Sequence, residues 1–111
     1  MIYWPAIIKF AGDSELTFIR HQSEWENDTE LHLFKYDEAD CLIDAEGNLY
    51  SLLNRAKNPV EPEPKNKTIT LNDFLGLVKA HAAQTGTCCV AKLYAPSIRD
   101  ALKIVDSLNN S

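Results

Sequence analysis

The apolar residues of this chain change their period near residue 70. Before it, short aromatic and β-branched runs alternate with turn residues; after it, apolar positions recur every three to four residues. The first pattern belongs to strands and the second to amphipathic helices. Strands followed by helices, rather than alternating with them, imply an α+β domain. The expected architecture is a mainly antiparallel sheet of four to five strands with two amphipathic helices packed on one face. With 111 residues, the prior is a single domain, 1–111, that buries somewhat under ~70% of its unfolded surface.

The runs at 2–10 and 16–20, joined by "AGDSE", predict a first hairpin, with Pro5 near the strand start. Ser23 with Glu26 three residues on is a capping-box pattern for one or two helical turns. "LHLFKY", 31–36, alternates like a short optional strand. "CLIDAEGNLYSLL", 41–53, predicts a second hairpin, with Gly47 where the turn needs a left-handed residue. "NRAKNPVEPEPKNK", 54–67, has three prolines and no periodicity, and predicts a mobile surface loop. Thr70 caps a helix carrying Leu71, Phe74, Leu75, Val78 and Ala82 on one stripe, stopped by Gly86. "TCCVAKLY", 87–94, is apolar on both faces and predicts a central strand. A second long helix starts at Pro96 or Ser97, with Ile98, Ala101, Leu102, Val105 and Leu108 on its stripe.

The stretches "YWPAIIKFAGDSELTFI", "WENDTEL", "DCLIDAEGNLYSL", "TITLNDFLGLVKAHA" and "CCVAKL" together resemble a small family of uncharacterised bacterial proteins, a domain of unknown function of about 110 residues. The resemblance runs the full chain and implies a small cytoplasmic bacterial protein. It carries hydrophobic patterns and turns rather than catalytic signatures, so it transfers no activity and no site.

Charge excludes some partners. Residues 1–47 hold eleven acids and three bases, a balance of −8, whereas residues 48–111 balance at +3. An acidic protein repels a phosphate backbone, so no nucleic acid is expected as a partner. The apolar start is too short for a membrane span and lacks signal-peptide features, so no membrane association and a cytoplasmic location are expected. Three cysteines, an odd count, suit a reducing compartment.

No motif points to catalysis or to a metal. Adjacent strand residues face opposite ways, so Cys88 and Cys89 would not grip one ion and read as small buried residues. Cys41, beside Asp40 and near Asp37 and Glu38, would have its thiol pKa raised by those acids. His21, His32 and His81 each stand alone, although His81 could meet a cysteine in three dimensions. The acids around Asp44 and Glu46 miss the calcium-loop register, because with Gly47 at its sixth position the first ligand would be Leu42. A glycine-rich phosphate loop is lacking. No catalytic residue, metal or cofactor is therefore expected.

Trp4 reads as core. Trp25 is either a plug pinning the short helix to the sheet or an exposed contact residue. The reading that follows is a small non-catalytic protein-binding or regulatory domain. Its acidic N-terminal face, with Glu24, Trp25, Glu26, Asp28, Asp37, Glu38 and Asp40, would meet a basic protein partner. The alternatives are a small enzyme with a Cys/His site and an auxiliary subunit that dimerises through a sheet edge. Monomer and homodimer both remain open.

Overall fold

The computed structural model describes residues 2–53, 61–86 and 90–109. The elements run β1 (Ala6–Lys9), β2 (Leu16–Ile19), α1 (Gln22–Asn27), α2 (Thr29–Leu33), β3 (Cys41–Ile43), β4 (Asn48–Ser51), β5 (Glu63–Thr68), α3 (Leu71–Gln84), a 3₁₀ turn (Val90–Lys92) and α4 (Ile98–Asn109). The five described strands form one antiparallel sheet in the order β2-β1-β3-β4-β5. The α+β class and the antiparallel sheet stand as expected.

The sheet is covered on both faces. In β1, Ala6, Ile7 and Ile8 are all fully buried, although successive strand residues point to opposite sides. Ile7, Leu16 and Ile43 pack with Phe74, Val78, Ala101, Leu102 and Val105 from the two long helices. Ala6, Ile8, Ile19, Leu42 and Tyr50 pack instead with Trp25, Tyr36 and Leu52. The expected pair of helices lies on the first face, and α1, α2 and the segment to Tyr36 close the second.

Packing rather than surface charge holds these layers. Burying a side chain such as Ile7, Phe74 or Leu102 contributes about 1.5–3 kcal/mol. The Arg20–Asp106 and Arg99–Glu46 ion pairs that tie α4 to the sheet side are solvent-exposed at 3.0 and 3.7 Å. Each is worth at most about 1 kcal/mol.

Several local expectations are corrected. His21, not Ser23, caps α1, its ring accepting from the Glu24 amide. Residues 29–33 are helical, because the Asp28 carboxylate accepts the Leu31 amide and caps a turn that brings both Leu31 and His32 inward. Leu31 and His32 both turn toward the Trp25 cluster, whereas neighbours in a strand point to opposite sides. Glu63–Thr68, assigned by sequence to a loop, is the edge strand β5, hydrogen-bonded to β4. It buries almost no side chain, so no apolar alternation marks it, and an edge tolerates Pro64. Residues 90–92 form a 3₁₀ turn, and 90–94 do not join the described sheet. Cys88 and Cys89, and residues 54–60 of the segment expected to be a mobile loop, lie outside the described residues.

Gly47 ends the β3–β4 turn at φ +81°, and a Cβ there would sit 2.7 Å from the Ile98 Cδ1 and 3.0 Å from the Ile69 carbonyl oxygen. The Gly47 carbonyl also accepts the Ile69 amide at 2.8 Å, so this turn locks the entry to α3 and seats the start of α4. Gly12, at φ +74°, has open space around it. Gly12→Ala should therefore cost only the left-handed strain, about 1–2 kcal/mol. Gly47→Ala should cost about 2–5 kcal/mol, because overpacking adds to that strain. Urea unfolding of the two variants checks this; equal losses would show that the β3–β4 turn yields.

Candidate functional site

The layer that closes the second sheet face is strongly acidic. Residues 22–40 hold seven acids and one base, Lys35. Glu24, Glu26, Glu30, Asp37 and Glu38 are exposed and Asp28 is half-buried. A shallow depression of about 570 Å³ lies over this layer, lined by His21, Ser23, Glu24, Asn27, Asp28, Thr29 and Glu30.

Two members of the expected acidic face do not belong to its surface. Trp25 is buried at 4% exposure. Its ring meets the His32 ring edge-on at 4.6 Å, and the His32 Nε2–H donates to the Trp25 carbonyl oxygen at 2.9 Å. It is the plug of the two readings offered by sequence. Asp40 is also buried, its two carboxylate oxygens accepting the Ala11 and Asp37 amides at 2.6 Å each. It ties the first hairpin's loop to the segment leading into β3. No sequence signal separated Asp40 from its exposed neighbours, because its two donors come from different loops.

Asp28 has a structural duty as well as a charge, since it caps α2. Asp44 is fully buried and accepts from the Tyr3, Glu46 and Asn48 amides, the Asn48 side chain and the Tyr50 hydroxyl. That carboxylate organises the β3–β4 turn. Among the described residues, no group of three or more His, Cys, Asp or Glu is arranged to hold a metal ion.

His81 is buried on α3 and clamps the free edge of β2. The Leu16 amide donates to its Nδ1 at 3.1 Å, so the ring proton sits on Nε2 and is donated to the Asn109 Oδ1 at 2.7 Å. The Asn109 amide group then donates to the Leu16 carbonyl at 3.2 Å. Side chains from α3 and α4 thus satisfy both outward-facing backbone groups of an edge residue. A cavity of about 320 Å³ beside the clamp is lined by Glu15, His81, Gln84, Thr85, Leu108 and Asn109. The position of His81, three residues after Val78 on the helix stripe, was the sequence signal for its burial.

Residues 4–105 match a family described as protein structure with unknown function, DUF4144. The chain belongs to that family. The fold is similar to the NMR structure of a protein from Shewanella amazonensis, a bacterium, with a TM-score of 0.74 and 25% sequence identity. The likeness covers 97% of this chain and 90% of that one. No curated protein matches. The resemblance drawn from hydrophobic runs and turns is therefore to the right kind of family.

In this DUF4144 chain, Cys41 opens β3 and is half-buried. Burial is the main force pushing its thiol pKa up; Lys65 and Lys9 oppose the rise and Asp40 adds to it. The direction is the one expected, but desolvation outweighs the acidic neighbour. A raised thiol pKa leaves little thiolate at neutral pH and makes a poor nucleophile. No helix among the described residues is long and apolar enough to cross a membrane.

Two experiments test these assignments. If the clamp acts as a unit, His81→Ala and Asn109→Ala should each lower stability by about 1–3 kcal/mol. The double variant should lose little more than either alone, and additive losses in a double-mutant cycle would mean that the two side chains act separately. The second concerns alkaline pH. Burial, then the charges of Asp28 and Asp40, push the Tyr36 hydroxyl up to about 12. Tyr50 is also raised, by burial and then by the charge of Asp44 and the hydrogen bond to it. The unfolded chain ionises these phenols near pH 10. The folded state then holds more protons, so their contribution is complete below about pH 10 and is lost as pH climbs towards 12. Urea midpoints should fall across that window, and Tyr36→Phe should flatten the fall; an unchanged slope would remove Tyr36 from the account.

Proposed function

We propose that this protein is a small non-catalytic binding domain whose α1–α2 layer meets a basic surface on a protein partner. The observation that carries this reading is the charge of that layer. Seven acids against one base lie within 22–40, and five of the acids are exposed. Such a field steers a positively charged partner and speeds encounter.

The rival readings find less support. His81 spends both ring nitrogens on the β2 clamp, and His32 is turned inward onto Trp25. Hydrogen bonds to the Leu16 amide and the Asn109 side chain thus occupy the two nitrogens that a catalytic His81 would use. Dimerisation through a sheet edge meets two obstacles. The Leu16 backbone on the β2 edge is occupied by side chains. The β5 edge carries Pro64, Lys65, Lys67 and a left-handed Asn66 at φ 57°, features that discourage strand addition.

The test is kinetic. A partner captured from the native cell should associate more slowly as salt rises from about 0.05 M to 0.5 M. A variant with Glu24, Glu26 and Glu30 changed to Lys should lose about tenfold or more of the low-salt rate. Asp28 is left intact because it caps α2. Equal low-salt rates for the two proteins would reduce the acidic layer to a solubilising surface.

A further inference from the structure

Leu33 and Phe34 are 73% and 51% exposed, next to residues of the same run that are buried. Leu31 and His32 face inward, and the outward pair adds little to the core. Phe34 is nevertheless held in place. Its ring lies 5.0 Å from Phe10 and 5.2 Å from Tyr36 between centroids, both in tilted contact, and Phe10 stacks on Tyr36 at 6.1 Å. Phe10 is half-buried and Tyr36 is buried. The result is an ordered aromatic cluster with Phe34 exposed at its surface and the exposed Leu33 next to it in the chain. Little further side-chain ordering is needed to bind against it. Adjoining exposed apolar residues rimmed by charge are the signature of a contact site.

The rim is acidic. Glu30 lies one helical turn before Leu33 in α2, and Asp37 and Glu38 follow Phe34 by three and four residues in the non-helical segment that leads to β3. All three are exposed. The charge of Asp28 reaches the cluster, since it helps raise Tyr36. Lys35 is the one base in this stretch. A second copy of the chain would bring two such rims together and be repelled. A nucleic acid or an anionic lipid surface would be repelled for the same reason.

We infer that Leu33 and Phe34 form the anchor point of the acidic layer and that they take a basic amphipathic segment, an apolar side chain flanked by Lys or Arg. This rests on the binding reading above and adds the chemistry the partner must carry. An apolar side chain would cover Leu33 and Phe34 while its flanking cations meet Glu30, Asp37 and Glu38.

Two synthetic helical peptides of equal length and charge test it against the full chain. One has Leu and Phe on one face with Lys and Arg at its margins; the other has those apolar positions changed to Gln. Titration calorimetry should show the apolar peptide binding about tenfold or more tightly than its Gln counterpart. Amide NMR shifts should centre on residues 30–38. Leu33→Ser with Phe34→Ser should remove that advantage, and Leu33→Ser alone, at the more exposed position, should weaken it with the circular dichroism spectrum unchanged. If the two peptides bind equally, or if the serine variants bind like the native chain, the anchor is wrong while the acidic reading survives. If the Glu24, Glu26 and Glu30 to Lys variant binds the apolar peptide as well as the native chain does, both readings fall. Absence of binding by either peptide overturns the anchor, as does native self-association in sedimentation that the serine variants abolish.

Discussion

Three consecutive residues of β1 with no exposure at all set the terms for the rest of the molecule. Ala6, Ile7 and Ile8 point alternately to opposite faces of the sheet, so neither face can be left to solvent. The long helices α3 and α4 cover one side, with Phe74, Val78, Leu102 and Val105 in the interface. The other side falls to two short helices and the segment after them. Helices of six and five residues have little stability of their own. They persist because Trp25, Tyr36 and Leu31 are pinned to Ile8, Leu42 and Tyr50 beneath.

Buried carboxylates and an imidazole tie the loops around the sheet. Asp40 joins the loop after β1 to the loop before β3, and Asp44 gathers five donors in the β3–β4 turn. His32 bonds the backbone of α1. Among the described residues, no buried side-chain nitrogen or oxygen lacks a partner. Among the acids of the first 47 residues, Asp40 and Asp44 are buried and hold backbone, whereas Glu24, Glu26, Glu30, Asp37 and Glu38 are exposed on the α1–α2 layer and the segment after it.

The same cover also leaves apolar groups outside. A five-residue helix turns only part of its circumference inward, and in α2 the inward part is Leu31 and His32. Leu33 and the capping Phe34 emerge among acids. The helices α3 and α4 are long enough to sort their apolar residues into stripes, and every Leu, Ile, Val and Phe within them is at least partly buried. A contact surface and a stabilising layer are therefore built from one short stretch of chain.

Local chemistry in the sequence was enough for whatever depends on near neighbours. It determined the two hairpins, the Gly47 turn, Thr70 as the cap of α3 and the apolar stripes of both long helices, because periodicity and turn residues act over a few positions. It also carried the acidic bias of the N-terminal half. Tertiary structure decided what depends on distant partners. β5 exists because β4 offers it a hydrogen-bonding edge, not because "EPKNKT" favours a strand. Residues 31–33 are helical because Trp25 and the sheet need Leu31 and His32 turned to the same side. Asp40 and Trp25 left the surface, and Leu33 and Phe34 reached it, because burial is settled by what lies above and below a residue rather than beside it in the chain.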